Sequence, residues 1–160
     1  MKFRKWLEKW DMTSLKINLK FLEMNWEPST ADKDAAWELY VEMLTRSSTQ
    51  HLIPDHGDER TALESIHSLF DITRGILRSH GRDCGNFSKV AVVVLNQIIR
   101  PFTAKWHKEM LSKAFENDAK CKKFRKELVV LQTELRKYTG ALADIAEVED
   151  LTDLERVSQR

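Results

Sequence analysis

The sequence predicts an all-α domain, a compact bundle of about five to six helices around a central apolar helix at 87–100. Three observations carry this expectation. Five glycines and three prolines in 160 residues leave few turn signals, so the elements must be long. Apolar side chains recur at helical spacing through most of the chain. A composition of 42% apolar and 32% charged residues suits a chain that folds around a core and argues against disorder. This length accommodates one domain, 1–160, with 1–28 as an N-terminal arm and 150–160 as a frayed tail.

Residues 2–10 read as a short basic amphipathic helix with Phe3, Trp6, Leu7 and Trp10 on one side. Its tryptophans can cover the bundle or rest on a membrane surface, and the cover is preferred. Residues 12–26 fit two readings equally. Leu15, Ile17, Leu19 and Phe21 alternate as in a strand, whereas Met12, Leu15, Leu19, Leu22 and Trp26 fit a helix. A strand here would need a distant mate.

After Pro28, Ser29 or Thr30 caps a helix to about Ser47, with Ala36, Trp37, Tyr40, Met43 and Leu44 on its apolar face. A polar loop from Ser48 to Gly57 precedes a helix from Asp58 to His80, which ends at Gly81 as a left-handed cap. Asn86 caps the central helix. Pro101 lacks an N–H, so it kinks that helix or starts a new one at Phe102. Asn117 or Asp118 opens the last long helix, where Phe124, Leu128, Leu131, Leu135 and Tyr138 form a heptad seam that Gly140 interrupts.

Twenty-six basic and twenty-five acidic side chains leave a net charge of +1, so bulk attraction to nucleic acid or anionic membrane is not implied. Charge is segregated, however: basic in 1–25 and 120–137, acidic in the tail. Two cysteines suit a reducing compartment. The N-terminus lacks the apolar region of a secretion signal, and Val90–Leu95 is too short to span a bilayer. A cytoplasmic protein is expected.

The chemistry-bearing residues are Arg100, Asn96 and His107. Residues seven apart on a helix differ by about 20° and about 10 Å, so Arg100 and His107 share a face, with Asn96 one turn earlier. Arg stabilises phosphate charge and His exchanges protons near neutrality, which together suit metal-independent RNA cleavage. The octet from Arg100 to His107 resembles the HEPN superfamily, whose signature is an Arg followed after four to six residues by a His. That resemblance implies a compact helical ribonuclease; Pro101 departs from the polar residue frequent after the Arg. The alternative reading is an Arg that bridges helices at a kink.

Two further clusters stand out. His51, Asp55, His56, Asp58 and Glu59 are weak candidates for a Zn or Mn site and a metal-dependent hydrolase, at a spacing that matches no standard motif. Lys120, Lys122, Lys123, Arg125 and Lys126 suit RNA or partner binding, or form a solvated helix face. No cofactor motif is present. The expected function is a non-enzymatic helical interaction or adaptor subunit with protein partners or copies of itself. The chain's character is similar to that of small proteins from bacterial antiviral defence or signalling operons. The alternative is a HEPN-like ribonuclease, with RNA as its partner.

Overall fold

In a computed structural model, which describes residues 1–46 and 58–155, every regular element is helical apart from one isolated bridge. The helices are α1 (Phe3–Lys9), α2 (Leu19–Leu22), α3 (Thr30–Thr45), α4 (Glu59–His67), α5 (Leu69–His80), α6 (Gly85–Val94), α7 (Arg100–Leu111) and α8 (Asp118–Ala146). A π-helical turn, Leu95–Ile99, joins α6 to α7. One cluster of buried apolar residues runs from Phe3 to Ile145, and α3 and α8 form its main contact.

The predicted all-α bundle is therefore present, and the central helix continues through Pro101. In a regular helix the Pro101 ring would crowd the carbonyl of Gln97 and leave it without a donor. Instead the turn before it widens, and the Arg100 N–H reaches the Leu95 carbonyl five residues back. Pro101 then lies in the first turn of α7, where a missing N–H is harmless.

The π turn also organises residues 12–26. Gln97 holds the extended backbone at Lys16 from both sides. Its Oε1 accepts the Lys16 N–H at 2.7 Å and its Nε2 donates to the Lys16 carbonyl at 2.8 Å. A single antiparallel bridge joins Lys2 to Asn25, with Phe3 N–H donating to the Met24 carbonyl. The segment is thus neither a full strand nor a full helix, and α2 is its only helical part.

Other expectations are corrected locally. The helix expected over 58–80 is divided at Ser68, whose Oγ donates to the Ser65 carbonyl at 2.6 Å and accepts from Arg46 at 2.6 Å. Asn86 does not cap α6; its Nδ2 donates to the Glu27 carbonyl, and α6 begins at Gly85. Trp37 belongs to no buried face and is 48% exposed. The end of the tail, 156–160, lies outside the described residues, but Leu151 is held: its N–H donates to Tyr40 Oη at 2.9 Å.

Three side-chain devices lock the frame. Buried Asp32 completes a capping box with Ser29 at the start of α3, and its other oxygen accepts the Phe87 N–H at 2.8 Å. Phe3, Trp6 and Trp26 stack, with Trp26 4.6 Å from each of the other two rings. Asp144 of α8 accepts the indole N–H groups of Trp6 at 2.8 Å and Trp10 at 3.0 Å, with Lys9 at 3.3 Å. Burial pushes the Asp144 carboxyl up, but these donors outweigh burial and hold it below the usual carboxylate range.

Gly140 does not interrupt α8. A Cβ there would stand 2.7 Å from Trp10, so glycine lets α1 approach a helix that continues unbroken to Ala146. Gly140→Ala should therefore destabilise the protein by about 1–3 kcal/mol, although alanine favours a helix by about 1 kcal/mol. In a Trp10→Ala background the same change should turn neutral or stabilising. Urea unfolding of the four proteins checks this.

Candidate functional site

Arg100 and His107 both lie on α7, and each has partners of its own. Arg100 is exposed and turned back toward the π segment, its Nε donating to Asn96 Oδ1 at 3.1 Å. Its guanidinium lies 4.7 Å from the centre of the Phe70 ring on α5. This is a cation–π contact that bridges two helices, worth about 0.5–1 kcal/mol where exposed.

His107 meets a residue that the sequence did not single out. The His67 ring at the end of α4 packs edge-on against it, 4.8 Å between centroids. His67 also packs on Phe70 at 5.6 Å. Contacts thus run from Arg100 to Phe70, from Phe70 to His67 and from His67 to His107. No local pattern marks His67, forty positions before His107; only the packing of α4 on α7 pairs them.

His107 Nε2 is buried with no hydrogen-bond partner among the described residues. Burial lowers the His107 pKa below the ordinary 6.5; His67 adds to this, while Glu64 opposes it. A neutral imidazole suits a proton acceptor.

The basic run is only partly open. Lys120 pairs with Glu109 at 3.1 Å and Arg125 with Glu59 at 2.8 Å, whereas Lys122, Lys123 and Lys126 are exposed. Glu59 is therefore committed to an ion pair. Asp58 caps α4 by accepting the Thr61 N–H and hydroxyl, and the Thr61 hydroxyl leads in holding its carboxyl low. His51, Asp55 and His56 lie outside the described residues. Among the described residues no group of three or more His, Cys, Asp or Glu is placed to hold a metal. The Cys121 thiol is pushed up by burial and by Glu59, which disfavours thiolate chemistry. The seam from Phe124 to Tyr138 is buried within the chain.

An open groove of mixed polarity lies elsewhere. A groove of about 590 Å³ between α3 and α5 is lined by Trp37, Val41, Ile72 and Gly75. Its carboxylates are paired: Glu38 with His80 at 2.9 Å, Glu42 with Arg46 at 2.9 Å and Asp71 with Arg74 at 2.7 Å. Gly75 is inside α5 with positive φ neither needed nor present, and a Cβ there would meet nothing within 4 Å. Among the described residues, no helix is long and apolar enough to cross a membrane.

No family model matches the chain, and neither a curated protein nor a solved structure is similar to it at a significant level.

His107 yields a pH prediction. A histidine with a lowered pKa binds fewer protons folded than unfolded. Its contribution is present above the unfolded value of 6.5 and is lost as the pH falls below it toward the folded value. The urea midpoint should drop between about pH 7.5 and about pH 5.5, and His107→Gln should flatten that drop. Asp144, whose pKa is low, is not lost in this window.

Proposed function

We propose that this chain is a non-catalytic helical interaction subunit that accepts a helix of a partner protein in the groove between α3 and α5. One observation carries the reading. Trp37 stands 48% exposed beside Gly75, a helix-interior glycine that packing within the chain does not require. Glycine at such a position costs about 1 kcal/mol relative to alanine, and here it keeps the floor of the groove open. A groove that combines Trp37, Val41 and Ile72 with internally paired carboxylates suits a helix-in-groove interface. Tryptophan is the residue type most often found to dominate binding energy at such sites. Defence or signalling assemblies are the proposed setting, on the sequence's general character alone.

The test uses two variants that leave the core intact. Trp37→Ala should weaken partner binding about 30-fold, an anchor loss of about 2 kcal/mol. Gly75→Leu should block the groove while raising or preserving the melting temperature. Crosslinks from the native complex should map to α3 and α5. A complex that tolerates both variants, or whose crosslinks lie away from this face, overturns the reading.

The alternative, a HEPN-like ribonuclease, is favoured by one observation: a second imidazole, His67, beside a His107 kept neutral. It predicts RNA cleavage without metal that falls at least about 100-fold in folded Arg100→Ala and His107→Ala variants. Absence of metal-independent cleavage by the parent protein disposes of it.

A further inference from the structure

The surface shared by α2, the extended backbone before it and α6 is charged in one sense only. A groove of about 330 Å³ there has Lys16, Ile17, Phe21, Lys89, Val92 and Val93 in its lining, and no carboxylate. The sequence explains the asymmetry: residues 12–22 and 84–108 contain no Asp or Glu. Asp11 and Glu23, which bracket the first stretch, are paired with Lys137 at 2.9 Å and Arg4 at 2.6 Å. Among the described residues Lys16, Lys20 and Lys89 have no ion pair. Lys89 Nζ instead donates to the Gly85 carbonyl at 3.3 Å and lies 5.5 Å from the centre of the Phe21 ring. Apolar side chains stand open among these cations. Leu22 of α2 packs against the core, whereas Leu19 is 68% exposed, Phe21 is 40% exposed and Lys20 is exposed as well. Val92 on α6 is 41% exposed. The Gln97 clamp fixes the Lys16 backbone, so this face is presented on a held frame.

We propose that this face binds the surface of an anionic lipid bilayer. Leu19, Phe21 and Val92 enter the headgroup boundary, and Lys16, Lys20 and Lys89 meet the anionic headgroups. The charge asymmetry carries the inference. Exposed apolar groups flanked by unpaired cations and free of carboxylates complement a surface that is apolar within and anionic outside. Lysine stems can lie along the apolar groups while their ammonium ends stay in water. The cations are all lysines, compact charges suited to mobile headgroups, whereas recognition of a protein's carboxylates favours the bidentate fork of arginine. The net charge of +1 conceals this face because its excess is local. The proposal is independent of the groove between α3 and α5.

Co-sedimentation of the full chain with phosphatidylcholine vesicles, with and without phosphatidylserine, tests it. Binding should require phosphatidylserine and weaken as salt rises. Lys16→Gln together with Lys20→Gln should lower the partition coefficient about 25-fold, about fivefold for each charge. Phe21→Ser should lower it about tenfold. Lys108→Gln, which removes the same charge from an exposed position on α7, should leave it unchanged. Because Lys16 and Lys20 are exposed, the double variant stays folded and carries the test even where Phe21→Ser loses stability. Three results overturn the proposal. One is no binding to phosphatidylserine vesicles at low salt; should an acidic amphipathic peptide bind in their place, the face belongs to a protein partner. Another is binding that the double lysine variant leaves intact, or that Lys108→Gln weakens as much. The third is binding unchanged in a folded Phe21→Ser protein.

Discussion

Pro101 brings no N–H to the rod that runs from Gly85 to Leu111, and the helix responds by widening one turn before it. Much of the architecture follows from that local adjustment. The π turn keeps α6 and α7 on one continuous path, so Phe87, Val90 and Val94 and then Phe102 and Trp106 serve one core. It also presents Asn96 and Gln97 to different tasks. Gln97 clamps the Lys16 backbone and thereby gives the loop before α2 a partner. Asn96 turns the Arg100 guanidinium onto Phe70. A rod with regular α geometry at Pro101 would have to break there, and both connections would lose their base.

The N-terminal arm is fixed by a different economy. A carboxylate that is partly buried is unfavourable unless donors surround it. Asp144 meets two indole N–H groups and an ammonium, so one side chain of α8 satisfies two tryptophans that would otherwise bury unpaired donors. Gly140, one turn earlier, supplies the clearance that brings Trp10 this close. The same logic has Asp32 joining the starts of α3 and α6. With these two carboxylates in place, the apolar stack of Phe3, Trp6 and Trp26 completes the cover.

These constraints bear on function by what they leave over. Arg100 is employed in holding helices together, and Arg125 and Lys120 join α8 to Glu59 and Glu109. Charged groups that looked available from sequence are thus partly consumed by the fold. Polar potential remains at His107 Nε2, Trp106 Nε1 and Glu127 Oε2, and apolar potential in the grooves beside Trp37 and Phe21.

The helical class, the capping of α3, α4 and α8 and the buried seam from Phe124 to Tyr138 were legible in the sequence, because each depends on neighbours within a few positions. The same period that located these helices misplaced Trp37, since a stripe gives a direction on the helix and not what faces it. Gly140 read as a break for the same reason: its role is set by Trp10, 130 positions away in sequence. Pro101 announced an irregularity, but whether the rod would break or widen depended on Gln97 finding Lys16 and on α7 packing onward. The Arg100 and His107 pair was visible as spacing, yet only tertiary packing gave each its own aromatic partner, Phe70 for Arg100 and His67 for His107. Local chemistry therefore determined the elements and their caps. Which side chains were spent inside the fold, and which were left facing open grooves, was decided by contacts between segments far apart in the chain.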